Sequence, residues 1–222
     1  MKEGMKTGLI AAFAMGLIAI IISGAQSRPH SAESLFRVTP GTTSSKLNEV
    51  IKDMRPGTTL QFAPGVYQLE ATIKIEKKSG IIIEGDGAEL VLNKNDSVVF
   101  WISNSDNIVL RGFIARHEIP IKPGERCMAG VIYIGGSHDI SLENLELNGS
   151  GTHGLQIQSS ASVTLKDSWL HHNSVAALGI YRAVDNISIE NNRADNNPQW
   201  LETNLSEEEL TRFVVFQGNK TE

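Results

Sequence analysis

The chain has a single cysteine, Cys127, among its 222 residues, so no disulfide can form within it. Even in an oxidising compartment, its stability must come from packing and not from cross-links. A basic excess is also missing: 20 Lys and Arg stand against 25 Asp and Glu, a formal net charge of −5. No basic stripe runs along the sequence, which argues against nucleic acid as the main partner. Long apolar runs are absent apart from residues 9–22. Lys2 and Lys6 precede that run and Ser23-Gly24-Ala25 follows it, the layout of a secretory signal peptide cut before Gln26. No cysteine follows the run, which counts against a lipoprotein anchor. The expected location is therefore secreted or periplasmic, and loss of residues 1–25 moves the charge from −5 to −6. The alternative is an uncleaved membrane anchor, because residues 7–27 carry no charge.

What the sequence does have is a four-residue phrase that returns five times. It reads Ile81-Ile82-Ile83-Glu84, Ile108-Val109-Leu110-Arg111, Ile140-Ser141-Leu142-Glu143, Val163-Thr164-Leu165-Lys166 and Ile187-Ser188-Ile189-Glu190, at spacings of 27, 32, 23 and 24 residues. Apolar first and third positions mark short strands with one buried face. The next residue is Gly85, Gly112, Asn144, Asp167 or Asn191, types that tolerate positive φ and so turn a corner. One strand and one corner per period in the low twenties predicts a solenoid of stacked rungs. A second strand precedes each phrase, with Phe100/Ile102, Ile132/Ile134, Leu155/Ile157 and Leu178/Ile180 pointing inward. Its outward residues are Trp101, Tyr133, Gln156 and Gly179, then Ser103, Gly135, Gln158 and Tyr181.

The organisation follows: a signal peptide over 1–25, a linker over 26–43, an N-terminal capping helix over 44–57, and a parallel β-helix over 58–197. Residues 198–222 close the chain as a helix and strand cap. Leu47, Val50, Ile51 and Met54 have helical spacing, with Ser44 or Ser45 as N-cap. Ser206 with Glu209 forms a capping box, and Leu205 with Leu210 the matching staple. The repeat breaks at Pro198. The strand-like Phe213-Val214-Val215-Phe216 either closes the end or begins another rung, and a truncated fragment without independent activity is one reading of that break. The rung containing Arg111 is longer than its neighbours by about nine residues, and the excess, from Arg116 to Cys127, predicts a surface loop.

Pro56-Gly57-Thr58, Pro64-Gly65-Val66-Tyr67 and Ile81 through Ala88 resemble the opening of right-handed parallel β-helix proteins of the pectate-lyase-like superfamily. Asn186 through Asn192 resembles that group's generic repeats, and the resemblance spans residues 56–197. It implies an all-β, right-handed parallel β-helix of about six rungs with short capping helices. It carries turn and core positions, so it speaks for fold more than for activity.

Four groups of residues offer chemistry. The fourth phrase position alternates in sign, Glu84, Arg111, Glu143, Lys166, Glu190, which predicts a surface charge ladder on rungs ~4.8 Å apart. Its alternative is a catalytic column around Lys166. Trp101 and Tyr133 stack on adjacent rungs and, followed by Gln156 and Gln158, offer flat aromatic faces and amides suited to sugar rings, so these four are the candidate substrate-binding residues. Sheet-surface decoration is the alternative. The histidines fall in one half of the solenoid: His117 on the inserted loop, His138, and His153, His171 and His172 at comparable corners of neighbouring rungs. They read either as bases or as turn residues bonded to neighbours. His117, Glu118, Glu125 and Cys127 match no zinc pattern.

The resemblance further implies a lyase or C5-epimerase acting on uronate polymers, in which Lys, Arg, His or Tyr abstracts a proton while a cation or Arg neutralises the carboxylate. His153, His172, Tyr181 and Arg182 are the catalytic candidates in that reading. Arg182 could hold a uronate carboxylate bidentately. Calcium is a possible cofactor through the resemblance alone, and no cofactor is evident from the residues. Neither Asp-Asp nor Asp-Pro-His occurs, and no calcium-binding Asp cluster is recognisable. The expected function is therefore binding of a polysaccharide or cell-surface glycan, an acidic one by the resemblance, with catalysis as the alternative.

Overall fold

The computed structural model describes residues 34–94, 96–118 and 129–221, which lie in one compact unit. The signal-like residues 1–25 and most of the inserted loop, with Glu125 and Cys127, lie outside the described residues.

Each turn of the chain lays down three short strands, and strands of successive turns pair in parallel. Face 1 is a six-stranded sheet: Ile73–Glu76, Phe100–Ser103, Ile132–Gly135, His153–Gln158, Ala176–Tyr181 and Leu201–Thr203. Face 2 stacks the repeated phrase. It begins with Ser34–Val38 and Thr58–Phe62, takes the first halves of Ser79–Leu92 and Asp106–His117, and continues through His138–Glu143, Ala161–Lys166, Asp185–Glu190 and Val214–Gln217. Face 3 contains Gly65–Leu69, the second halves of the two long strands, Glu146–Asn148, Trp169–His171, Arg193–Asp195 and Lys220–Thr221. The long strands bend through the corner and join faces 2 and 3 into one thirteen-stranded sheet.

The fold is thus an all-β, right-handed parallel solenoid with two short helices. It makes about seven turns where the sequence suggested about six. The difference lies at the ends. Ser34–Val38, in the stretch that reads as a linker, pairs in register with Thr58–Phe62. Beyond Pro198 the rungs resume: Leu201–Thr203 joins face 1, Val214–Gln217 face 2 and Lys220–Thr221 face 3. End strands are covered on one side only, so their side chains carry little inside/outside alternation for a sequence pattern to record.

Burial explains the phrase. Ile81, Ile83, Ile108, Leu110, Ile140, Leu142, Val163, Leu165, Ile187 and Ile189 are all buried, and each such side chain contributes roughly 1.5–3 kcal/mol by leaving water. The corner residues Gly112, Asn144, Asp167 and Asn191 have φ of 75, 51, 52 and 54°. The first corner departs from the rule. It spans Gly85-Asp86-Gly87, and the positive φ of 74° falls on Gly87. Gly85 is needed for a different reason: a Cβ there would sit 2.8 Å from that of Phe62.

Stacked polar side chains satisfy the other corners. The Ser105 N–H donates to the Ser137 hydroxyl and the Ser137 N–H to that of Ser160, each at 3.2 Å. Buried Asn192 accepts from the Ser168 N–H at 2.9 Å and donates to the Leu165 carbonyl at 2.9 Å and to Asn219 at 3.1 Å.

The helices behave largely as their sequences predict. α1, Ser44–Asp53, buries Leu47 and Ile51, but its N-cap is Thr43 and not Ser44 or Ser45. The Ser44 hydroxyl instead accepts from the Glu70 and Ala71 N–H groups. α2, Glu207–Phe213, carries the predicted Ser206/Glu209 capping box and is inserted between a face 1 strand and a face 2 strand.

Candidate functional site

Register fixes what face 1 presents. Trp101, Tyr133, Gln156, Gly179 and Glu202 form one outward column, and Glu76, Ser103, Gly135, Gln158 and Tyr181 the next. The Trp101 and Tyr133 rings stack with centroids 4.2 Å apart and planes 24° apart. The stacking on adjacent rungs that the sequence suggests is present. Side chains on adjacent strands of a parallel stack lie one above the other, so each ring spends one face on the other. Tyr133 also leans over Gly135, where an added Cβ would come within 2.6 Å of its hydroxyl.

That lean forms one wall of a groove of about 340 Å³, lined by Glu76, Trp101, Ser103, Asn104, Tyr133 and Gln158 with a glycine floor at Gly135 and Gly136. Among the described residues, the side chains of Glu76, Ser103, Asn104, Gln156 and Gln158 make no hydrogen bond to protein. Two larger depressions, about 580 and 710 Å³, lie along the corner between faces 2 and 3. Some of their polar groups are engaged, Arg111 with Glu84 at 2.6 Å, Gln61 with Glu84 at 3.0 Å, Glu143 with Lys166 at 3.3 Å and Glu146 with His171 at 3.1 Å, while corner residues such as Asp86, Asn144 and Asp167 also line them. Size favours the corner, whereas a stacked aromatic pair beside a side-chain amide favours the face 1 groove as a place for a sugar.

Further along face 1, three side chains converge. His153 Nε2 lies 2.7 Å from Glu202 Oε2, and the Tyr181 hydroxyl donates to the same oxygen at 2.5 Å, 3.1 Å from His153 Nε2. Gly179 makes room for the two rings: a Cβ there would meet Tyr181 at 2.8 Å and His153 at 3.0 Å. Burial lowers the His153 pKa against the opposing pull of Glu202, so the imidazole is neutral near pH 7. Burial, reinforced by Glu202, raises that of Tyr181 and keeps it a phenol. The Tyr181 hydrogen bond, with His153 beside it, holds Glu202 below the usual carboxylate range. With its proton on Nε2 facing Glu202, His153 has a bare Nδ1 that is buried and without a partner.

The other candidates are placed elsewhere. His172 does not join His153 and Tyr181. It follows the face 3 strand Trp169–His171 with φ of 54°, and its Nδ1 lies 2.6 Å from that of His171. Burial lowers the His171 pKa, opposed by Glu146. Arg182 occupies a corner with φ of 64°, its N–H donating to Asn204 at 2.9 Å, and its side chain is exposed. The fourth-position charges form the ladder: Lys166 pairs with Glu143, whose pKa the Ser141 hydroxyl lowers first and Lys166 further. His117 is buried at the base of the inserted loop, between the Lys94 and Gly130 carbonyls at 2.9 and 3.2 Å. No group of three His, Cys, Asp or Glu is arranged to hold a metal among the described residues.

Glu202 was missed from the sequence because it lies past Pro198 on a three-residue strand. Its signal was the spacing: Tyr133, Gln156, Gly179 and Glu202 follow one another at 23 residues.

A family model, right handed beta helix region, matches residues 69–208. No curated protein matches the sequence. Among solved structures, the chain is similar to a candidate glycosyl hydrolase from Parabacteroides merdae, with TM-score 0.64 and 15% identity over 81% of this chain and 91% of that one. It is also similar to ORF18 of Geobacillus virus E2, with TM-score 0.60 and 15% identity over 84% of this chain and 40% of that one. A third similarity is to the pectate lyase Pel9A, with TM-score 0.57 and 16% identity over 75% of this chain and 55% of that one. At these identities the likeness is one of fold.

Proposed function

The chain belongs to the right-handed β-helix family, and we propose that it binds carbohydrate in the face 1 groove. One observation carries this reading: five polar side chains with unspent hydrogen bonds flank two aromatic rings on a rigid, concave surface. Gln156 and Gln158 each offer two donors and an acceptor, and Glu76 accepts only, which suits the mixed donor and acceptor character of sugar hydroxyls. The exposed part of the Trp101 ring supplies apolar contact. The fold likeness to a candidate glycosyl hydrolase and to a pectate lyase supports the same ligand class. Residues 1–25 support export, to a secreted or periplasmic location, where such polymers are met.

A catalytic role is the second reading, favoured by the His153–Tyr181–Glu202 cluster. Its geometry limits the chemistry. Glu76 and Glu202 occupy the first and last strands of face 1, five strand spacings apart, or ~24 Å. Hydrolysis by paired carboxylates uses separations up to only ~9.5 Å, so these two cannot act together. A lyase or C5-epimerase needs a base at the sugar ring, and Nδ1 of His153 is buried while Tyr181 stays protonated. The cluster offers a proton donor and an ionised carboxylate, which ranks binding above turnover.

Affinity electrophoresis through gels containing a panel of polysaccharides tests the proposal. Retardation by at least one glycan, abolished in Trp101→Ala and in Gln158→Ala with circular dichroism unchanged, is expected. A wild-type protein retarded by none of them, or variants retarded equally, would remove the proposal's basis. Release of ultraviolet-absorbing unsaturated ends from a uronate polymer would promote the catalytic reading over it.

A further inference from the structure

Resting on the carbohydrate reading, we infer that the groove selects a neutral glycan and not the uronate polymer that the family resemblance implies. The charges of face 1 carry the argument. Glu76 is the one ionisable carboxylate lining the groove, and no Lys or Arg lines it. The outward columns add Lys74 at the N-terminal end and Glu202 at the C-terminal end. Lys77 and Arg182 sit on the corner beside face 1, next to those same two ends, with φ of 53 and 64°. Between the ends, across Trp101, Ser103, Asn104, Tyr133, Gln156 and Gln158, there is no formal charge at all.

A polymer with a carboxylate on every sugar would lay several charges along this uncharged stretch and at least one beside Glu76. In water-like surroundings, two like charges ~7 Å apart repel by about 0.6 kcal/mol, and beyond the edge held by Lys74 and Lys77 no Lys or Arg lines the groove to pair with further uronates. The partners available there are amides, hydroxyls and one carboxylate. A carboxylate that only accepts is well matched to a vicinal pair of sugar hydroxyls and badly matched to a uronate. Amide side chains discriminate by hydrogen-bond pattern and leave charge unpaired. Lys74 stands beside Trp101 and Lys77 follows Glu76, so these cations border only the N-terminal edge of the groove, while Tyr133, Gln156 and Gln158 lie two to three strands further on.

The experiment uses the full chain in affinity electrophoresis at low salt, against a neutral set (β-glucan, galactan, mannan) and an acidic set (polygalacturonate, alginate), with Glu76→Gln and Lys74→Gln alongside wild type. The expected result is retardation by a neutral polymer and none by the acidic pair. Glu76→Gln should weaken that retardation about tenfold, through loss of a charge-assisted bond, whereas Lys74→Gln leaves it unchanged. Retardation by an acidic polymer alone, abolished in Lys74→Gln, overturns the neutral assignment and leaves carbohydrate binding standing. Retardation by neither set overturns both.

Discussion

Gly135→Ala adds one methyl group beneath the aromatic wall, and its effect can be worked out atom by atom. The new Cβ would lie 2.6 Å from the Tyr133 hydroxyl oxygen and 2.7 and 2.9 Å from Cε1 and Cζ. All three atoms belong to the far end of one side chain, so the ring swings away and the backbone stays. Leaving Trp101 forfeits a stacked pair whose centroids are 4.2 Å apart, worth about 0.5–1.5 kcal/mol. Against this, replacing a strand glycine with alanine returns roughly 0.5–1 kcal/mol of chain entropy. The two nearly cancel, so the midpoint of thermal unfolding should move by no more than about 3 °C. Binding should nevertheless fall at least tenfold, because the wall of the groove has moved. Differential scanning calorimetry and glycan affinity on the same preparation measure both quantities. A destabilisation above about 3 kcal/mol would show that Tyr133 cannot yield. Unchanged affinity would show that the wall is not part of the site. Either result refutes the reasoning.

Gly179→Ala should cost more, about 1–3 kcal/mol in chemical denaturation, because the rings it strikes are tied to Glu202 and cannot swing freely. A loss as small as that for Gly135→Ala would mean the cluster is loose. Asn192→Ala strips partners from the Ser168 N–H, the Leu165 carbonyl and Asn219 in a buried corner, and about 2–4 kcal/mol of stability should go with it. Lys166→Ala removes one exposed ladder pair and should cost no more than about 1 kcal/mol by the same assay. A larger loss would mean the ladder is structural. The His153 pKa is lower in the folded protein than its ordinary value of about 6.5. The unfolded chain therefore binds that proton first, so stability is full above pH ~6.5 and declines as pH drops through that value. Urea unfolding across pH 5–8 should show the decline in wild type and a shallower one in His153→Gln. Parallel slopes would assign it to other groups, of which the buried His171 is the first candidate.

The fold was legible because its cause is local and repeated. Residues such as Ile140 and Leu142 bury a face at fixed spacing, and Asn144 turns the chain at φ 51° immediately afterwards. Legibility failed where a rung lacks a neighbour on one side. Phe36 and Phe216 stand in columns that are buried elsewhere but remain 40% and 41% exposed, and the strands around them carry no alternation to read. The outward columns of face 1 also followed from alternation, and Trp101, Tyr133, Gln156 and Gln158 lie where spacing put them. The grouping of histidines did not follow. His153 meets Tyr181 and Glu202 from adjacent rungs, while His172 turns at φ 54° beside His171. Sequence spacing gives the rung of a corner residue but not the direction its side chain takes. The stacking of Trp101 on Tyr133 was legible because it follows from the rung spacing itself.

The central claim is that the face 1 groove binds sugar, and chemical-shift mapping of the isotope-labelled protein during titration with a neutral oligosaccharide tests it most directly. The predicted result is a set of saturable shifts confined to the Trp101 indole N–H, the Asn104, Gln156 and Gln158 side-chain amides, and the backbone of Gly135 and Gly136. Shifts centred on Trp169 and Arg193 at the opposite corner, or no saturable shifts with any glycan, would contradict it.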